Sequence, residues 1–189
     1  VAITAGKLGI GFTDAQIKIG NTALDSLTTG TENTAVGNAA LTANTTGARN
    51  TAVGANALDA NTTANNNTAI GHDALTANTT GANNTAVGSF AGNGVTTASN
   101  ITAIGKGTLN ATTTGDSNTA VGHGALAANT TGAQNTAVGD LALDANTTAS
   151  NNTALGYNSL SANTTGEKNV VVGSAAKLNN TTGSQNTVV

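Results

Sequence analysis

The chain contains no cysteine, proline, methionine or tryptophan, and aromatic residues make up only 2% of it. The absence of cysteine excludes a disulfide framework, and the shortage of aromatic side chains argues against an ordinary globular domain. Charged residues are also scarce at 8%, whereas disordered chains are usually strongly charged. The net charge of −3 at pH 7 provides no basic surface for nucleic acid. No apolar run approaches the length of about 18 residues that a membrane span requires.

What the chain does contain is a strict repeat, and repeats must be recognised before any other pattern is interpreted. The segment Asn33-Thr34-Ala35-Val36-Gly37 returns every 17 residues, which gives ten complete repeats over residues 16–185 and a fragment from Asn186. We number positions within each repeat so that Asn33 is position 1 and Arg49 is position 17.

The repeat predicts stacked β-strands. A 17-residue period is not a multiple of the helical turn of about 3.6 residues, and each repeat carries Gly, Asn and Thr where helix formers would be needed. We predict two short strands per repeat, over positions 1–4 and about 7–14. The predicted fold is an all-β parallel β-roll or β-solenoid over residues 16–189, preceded by an N-terminal cap or lead-in strand over residues 1–15. Because the chain opens at Val1 and stops inside a repeat, we interpret it as a segment of a longer protein.

Positions 2, 4, 5 and 9 of the repeat carry the structural predictions. Position 5 is glycine in all ten repeats and is predicted to close the first strand in a turn. After Gly20 in the first repeat, the predicted turn glycines are Gly37, Gly54, Gly71, Gly88, Gly105, Gly122, Gly139, Gly156 and Gly173. Strand alternation predicts that positions 2 and 4 face inward from the first strand and that the leucine at position 9 faces inward from the second. The predicted core is Val36, Leu41, Val53, Leu58, Ile70, Leu75, Val87, Ile104, Leu109, Val121, Leu126, Val138, Leu143, Leu155, Leu160 and Val172.

Oligomerisation is expected on physical grounds. Each coil offers about two bulky apolar side chains, which is little burial for the ordering of 17 residues. Alanine at positions 3 and 8 is predicted to leave a low-relief surface on which another subunit packs closely. A closed symmetric assembly would bury that surface.

Few residues are candidates for chemistry. His72 and His123 occupy position 6, three coils apart, so we predict exposed turn residues and no metal site. Asp25, Asp59 and Asp144 recur at position 10 but never in adjacent coils, which excludes a carboxylate ladder. An enzyme on a β-helix would need clustered charged residues in adjacent coils. We therefore predict no catalytic residue, no cofactor and no enzymatic activity.

Two further features allow more than one interpretation. The Thr-Thr pair at positions 13 and 14 either forms a structural ladder, with one hydroxyl inward and one bonded to the turn backbone, or presents a file of threonines as a flat binding face. In repeat 84–100, Gly92 replaces the usual leucine, and we predict that Phe90 fills the space. The other interpretation places Phe90 and Tyr157, the only aromatic residues of the repeats, on the surface as contact residues.

The repeat resembles a known family. Asn-Thr-Ala-Val-Gly-x-x-Ala-Leu-x-x-Asn-Thr-Thr-Gly looks like repeats of bacterial surface adhesins and phage tail-fibre proteins. The cores Thr68–Gly71 and Thr102–Gly105 are similar to head repeats of YadA-like trimeric autotransporter adhesins, whose period is shorter than the 17 residues found here. Gly6–Gly11 resembles a stretch preceding such repeats in tail-fibre proteins with a self-cleaving chaperone. The resemblance implies a left-handed parallel β-roll, three chains side by side and a role in attachment.

The predicted function is a structural and adhesive segment of an extracellular trimeric fibre, either an adhesin head on a bacterial cell surface or a tail-fibre shaft on a virion. The predicted partners are two further copies of the chain and a receptor on a host cell or other surface, with glycans among the candidates. We predict no nucleic-acid partner and no membrane insertion of this segment. The alternative is a monomeric solenoid whose threonine file binds ice or a crystalline polysaccharide.

Overall fold

The computed structural model describes residues 9–11 and 16–189, and all of its regular structure is β. Its twelve strands form a single sheet in sequence order. They are β1 (Gly9–Gly11), β2 (Gln16–Ile19), β3 (Thr34–Val36), β4 (Thr51–Val53), β5 (Thr68–Ile70), β6 (Thr85–Val87), β7 (Thr102–Ile104), β8 (Thr119–Val121), β9 (Thr136–Val138), β10 (Thr153–Leu155), β11 (Val170–Val172) and β12 (Thr187–Val188). The predicted parallel solenoid of 17-residue coils is confirmed.

Equivalent residues of successive coils lie side by side. From β2 to β12 each strand pairs in parallel with the next, and the register matches like with like, as in Thr34 with Thr51 and Ala35 with Ala52. Backbone bonds continue this ladder outside the strands, for example from the Leu41 amide to the Ala57 carbonyl at 3.0 Å. With about 4.8 Å between neighbouring strands, ten coils make a rod roughly 50 Å long.

The prediction of two strands per coil was wrong, because only positions 2–4 form a strand and positions 6–11 form consecutive turns. The reason is a left-handed backbone at positions 7 and 9, shown by Ala39 with φ 56° and Leu41 with φ 53°. A strand would send the neighbouring side chains of Ala40 and Leu41 to opposite faces. The turns instead direct both inward, and both are fully buried.

The interior of each coil is built from positions 1, 3, 8, 9, 12 and 15. The leucines predicted at position 9 are buried, namely Leu41, Leu58, Leu75, Leu109, Leu126, Leu143 and Leu160. They pack against alanines at positions 3 and 8, such as Ala35 and Ala40, which have no exposed surface within a single chain. The predicted subunit interface through these alanines was therefore wrong, because a single coil already encloses them.

The other half of the predicted core was also wrong. Position 4 lies on the outer side of the sheet, because the inward side chain of each strand is the alanine at position 3. The nine residues concerned are Val36, Val53, Ile70, Val87, Ile104, Val121, Val138, Leu155 and Val172, all half-buried or exposed. The physical reason is the width of the coil, since a strand that faces both an alanine and a leucine, such as Ala40 and Leu41, leaves room for a methyl group. The larger Val171 is buried at position 3 only in the coil where Lys177 replaces that leucine.

The glycines at position 5 are required by the backbone. Gly54 has a φ of 137°, and a Cβ placed there would lie 2.4 Å from the carbonyl oxygen of Gly71 in the next coil. Such a φ is essentially restricted to glycine, and the contact is with rigid backbone. The same geometry recurs at the glycines predicted to close the first strand; Gly173 shares the positive φ, while its hypothetical Cβ would meet only Ala176 at 3.4 Å.

Two files of buried asparagine side chains run along the interior at positions 1 and 12. At position 12, the Asn61 Nδ2 donates to Asn44 Oδ1 of the preceding coil at 2.9 Å. At position 1, Asn33 Oδ1 accepts from the Asn50 backbone amide at 3.0 Å. These bonds satisfy polar groups that would otherwise be costly to bury, so the amides act as an ordered polar part of the core.

The N-terminal region is described only in part. β1 runs antiparallel to β2 and places Gly9 opposite Lys18 and Ile10 opposite Ile17. Residues 1–8 and 12–15 lie outside the described part of the chain. The interpretation of residues 1–15 as a cap or lead-in strand stays a prediction.

Candidate functional site

The most extensive candidate surface is the outward side of the parallel sheet, which we call the outer sheet face. It consists of the side chains at positions 2 and 4 of each coil from β2 to β12. Position 2 is threonine from Thr34 to Thr153, and position 4 is Val, Ile or Leu throughout. Neither position carries a charged residue in any coil. The face is thus a row of methyl and hydroxyl groups beside a row of branched apolar side chains.

This face leaves much apolar surface open to solvent. Ile19, Ile70, Ile104 and Leu155 at position 4 are exposed by 46%, 40%, 39% and 45% respectively. Because the strands pair in register, these side chains form one continuous stripe along the rod. Monomeric soluble proteins rarely expose long contiguous apolar patches, and such patches mark interaction surfaces.

The threonine pair has a different arrangement from the predicted ladder. Position 13 hydroxyls donate to the position 13 carbonyl of the following coil, as Thr45 Oγ1 does to the Thr62 oxygen at 3.1 Å. Position 14 is exposed in all ten coils, from Thr29 to Thr182. The sequence therefore predicted the backbone bond correctly, but neither hydroxyl of the pair faces the interior. The position 14 file is one residue wide.

The predicted contact residues lie on the turn that follows the sheet. Phe90 is 36% exposed and meets the His72 ring edge-on, with 5.3 Å between ring centroids. It does not fill the space of the missing leucine, so that prediction was wrong. Tyr157 is 54% exposed at position 6, four coils further along. The structure does not bring the two aromatic residues together.

The histidines are exposed, as predicted. His72 Nδ1 lies 3.1 Å from Asp73 Oδ2, and His123 Nδ1 lies 3.0 Å from Asp140 Oδ1 of the next coil. Among the described residues, no group of three or more His, Cys, Asp or Glu side chains is arranged to hold a metal ion. The described residues also contain no helix with the length and apolarity needed to cross a bilayer.

The pKa of one carboxyl group, that of Asp144, is shifted by burial. Burial raises the pKa of Asp144 above its ordinary value of 3.8, although hydrogen bonds from the backbone amides of Asp144 and Ala145 oppose the shift. Asp144 follows the buried Leu143 at position 10. Position 10 of the two adjacent coils holds Ala127 and Ser161, so Asp144 is not part of a carboxylate ladder.

Comparison with known proteins adds no relative. No family model, no characterised protein and no solved structure matches this chain. The fold and the surfaces described above define its class as a β-solenoid repeat protein.

Proposed function

We propose that this chain is a structural and adhesive segment of an extracellular fibre in which three copies pack side by side. The observation that supports the proposal is the outer sheet face, an uncharged apolar stripe that runs along the rod. Interface centres are depleted of charge and enriched in apolar area in the same way. In the fibre, the two neighbouring chains would cover this face.

The geometry of the face favours an assembly around a common axis. Each chain has one such face, and it extends along the rod because every coil adds the same strand in the same register. Three copies that turn this face toward one axis bury it completely and close the assembly, as symmetric oligomers do. The position 14 threonines and the position 6 turns then remain on the outside.

The proposed role is mechanical and multivalent, without a catalytic step. A rod whose coils are held by backbone ladders along its length, and by amide files in most coils, is stiff, and it presents its exposed turns at regular intervals. Weak contacts repeated in register with a receptor on a cell or other surface gain strength through avidity. The fibre would belong to a bacterial cell surface or to a virion tail.

The test is the solution mass by light scattering, followed by charge insertion. We expect about three times the chain mass of 18.1 kDa for the wild type. Val87→Asp with Val121→Asp places two charges at the centre of the outer sheet face and should give a folded monomer, with folding checked by circular dichroism. Thr97→Asp with Thr131→Asp adds the same charge at position 14 and should leave the trimer intact. A wild-type monomer, or a trimer that tolerates the first pair, contradicts the proposal.

A second candidate function is favoured by the exposed threonine file at position 14. A monomeric rod with that file free could bind ice or a crystalline polysaccharide through regularly spaced hydroxyl and methyl groups. Thermal hysteresis of the wild type, lost in Thr97→Asp with Thr131→Asp and retained in Val87→Asp with Val121→Asp, would favour this function over the fibre.

A further inference from the structure

The coils at 84–100 and 101–117 break the interior pattern that coils 33–83 and 118–168 share. Gly92 replaces the leucine at position 9, Val95 replaces the asparagine at position 12, and Ile101 replaces the asparagine at position 1 of the next coil. Val95 and Ile101 are fully buried, so these three departures lie inside the rod. A fourth, Thr112 at position 12 of coil 101–117, is also buried, but its hydroxyl still accepts from Asn129 Nδ2 at 3.4 Å.

The three departures fit one another. A Cβ added at Gly92 would lie 3.1 Å from Leu75 Cδ2, 3.5 Å from Val95 Cγ2 and 3.7 Å from Ile101 Cδ1. The volume that a leucine occupies in other coils is thus filled from the side by Val95 and from the next coil by Ile101. Neither side chain would have this space beside a coil that keeps its leucine.

Val95 and Ile101 each interrupt the hydrogen bonding of one asparagine file. Asn78 Oδ1 is buried without a hydrogen-bond partner, whereas Asn44 Oδ1 and Asn146 Oδ1 accept from the next coil. Val95 occupies position 12 of the next coil, where the Nδ2 of an asparagine would otherwise donate to Asn78 Oδ1. Likewise, Ile101 offers no side-chain acceptor to the Asn118 amide. Besides Asn78 Oδ1, only Ser159 Oγ is a buried side-chain atom without a partner among the described residues. The missing bond at Asn78 therefore calls for an explanation.

The repetitive sequence offers an explanation for the unpaired group, because it allows coils to stack in the wrong order. Coils of nearly identical sequence contact only their neighbours, so a chain that skips one coil loses a single interface and keeps all others. Uniform strands specify their register weakly. If coil 84–100 were looped out, Ile101 would meet Leu75 and Leu109 with no glycine beside it, and the interior would be overfilled.

We propose that Gly92, Val95 and Ile101 form a register key, a set of interior residues that fits only when coils 67–83, 84–100 and 101–117 stack consecutively. The key rejects chains that have slipped by one coil during folding. It acts within one chain, so it holds for the trimeric fibre and for a monomeric rod alike.

Disulfide trapping tests the key, because Thr80, Thr97 and Thr114 are exposed at position 14 of these three coils. In the native order, Thr80 and Thr97 lie in adjacent coils at about 4.8 Å, within disulfide range, whereas Thr80 and Thr114 are about 10 Å apart and out of range. Only a skipped coil brings the second pair together. Two cysteine pairs are made, Thr80→Cys with Thr97→Cys and Thr80→Cys with Thr114→Cys. Each pair is introduced into the wild-type chain and into a chain whose interior is made regular by Gly92→Leu, Val95→Asn and Ile101→Asn.

All four proteins are unfolded, refolded and oxidised, and crosslinks within one chain are quantified by mass spectrometry after mixing isotopically light and heavy chains. With the wild-type interior, we expect the first pair to crosslink and the second pair not to. With the regular interior, we expect the second pair to crosslink at least about tenfold more than with the key. Equal absence of that crosslink in both interiors overturns the proposal. Loss of the first crosslink in the regular interior also overturns it, because the three residues would then be needed for stacking itself.

A melting series tests the fit separately. Gly92→Leu alone should lower the melting temperature by roughly 5 °C or more through overpacking. The triple substitution should return it to within about 2 °C of the wild type, since residues in contact are not additive. An additive series would show that the three residues do not act as a unit.

Discussion

The regular coils, 33–83 and 118–168, and the irregular coils, 84–117, adopt the same backbone but fill the interior differently. In the regular coils, one buried leucine is flanked by two files of bonded amides, as in Leu143 with Asn135 and Asn146. In the irregular coils, Val95 and Ile101 replace one amide of each file, Thr112 replaces a second amide at position 12, and Gly92 replaces one of the two leucines. The coil therefore tolerates exchange of polar and apolar interior residues, provided that the total volume is kept.

The difference also shows which parts of the repeat cannot be exchanged. Position 5 remains glycine in both regions, with φ 135° at Gly88 and 137° at Gly54. Position 13 remains threonine, and Thr96 donates to the Thr113 oxygen at 3.0 Å as its equivalents do elsewhere. The backbone path is thus fixed by the turns and ladders, whereas the filling of the interior is adjustable.

The largest expected effect is therefore shared by the two regions. Gly88→Val and Gly54→Val each place a Cβ within about 2.6 Å of a carbonyl oxygen in the next coil and force valine into a glycine-only conformation. We expect each to lower the free energy of unfolding by about 4 kcal/mol or more, which is exceptional for one substitution. Chemical denaturation monitored by circular dichroism measures it.

The matched control is His72→Ala on the exposed turn, where we expect a change within about 0.5 kcal/mol. Equal melting temperatures for Gly88→Val and His72→Ala would show that position 5 does not control the turn. A much milder effect of Gly88→Val than of Gly54→Val would show that the irregular coils also differ in backbone.

The sequence predicted the elements that depend on the period and on backbone geometry. A 17-residue repeat without helix formers indicated stacked coils, and glycine at position 5 indicated a turn. Both inferences succeed because each follows from the repeat period or from the backbone properties of one residue type. Leucine at position 9 is buried as predicted, but it reaches the interior from a turn and not from the second strand on which that prediction was based.

The side of the strand that faces inward was predicted wrongly because bulk was taken as the sign of burial. Position 4 varies among Val, Ile and Leu, whereas position 3 is alanine from Ala35 to Ala154. Tolerance of different sizes is the mark of an open face, and a constant methyl group is the mark of a narrow interior. That signal was present in the internal repeats and would have placed the outer sheet face correctly.

The second strand was predicted wrongly because its pattern did not reveal left-handed residues. Leu75 with φ 51° and Arg49 with φ 57° are unusual carriers of that conformation. The available signal was indirect: Gly107 and Gly124 occur at position 7, and asparagine recurs at position 17, as in Asn83. Both residue types favour positive φ.

An intermediate effect separates position 12 within the regular coils from position 12 at their border with coil 84–100. Asn146 donates to Asn129 Oδ1 and accepts from Asn163 Nδ2, whereas the Oδ1 of Asn78 has no partner. Asn146→Ala should therefore lower the free energy of unfolding more than Asn78→Ala does, by about 1 kcal/mol. It removes an acceptor from Asn163 Nδ2, which then keeps only the Gly166 oxygen, whereas Asn78→Ala removes a buried oxygen that already has no partner. Equal losses in urea denaturation would mean that the amide file contributes little and that the regular coils hold together by other contacts.

The smallest expected effect depends on pH and belongs to the regular region, since position 10 holds the uncharged Asn93 and Asn110 in the other pair. Burial raises the pKa of Asp144 above 3.8, so the folded chain holds this proton more tightly than the unfolded chain. The protonated group contributes stability below pH 3.8, and that contribution is lost as the pH rises through the raised pKa of the folded state.

Asp144→Asn keeps the shape and the backbone hydrogen bonds but removes the charge. We expect the variant to match the wild type in melting temperature near pH 3 and to exceed it by roughly 1–2 °C at pH 7. A wild type that is the more stable of the two at pH 7 would show that the backbone amides stabilise the ionised carboxylate by more than burial penalises it.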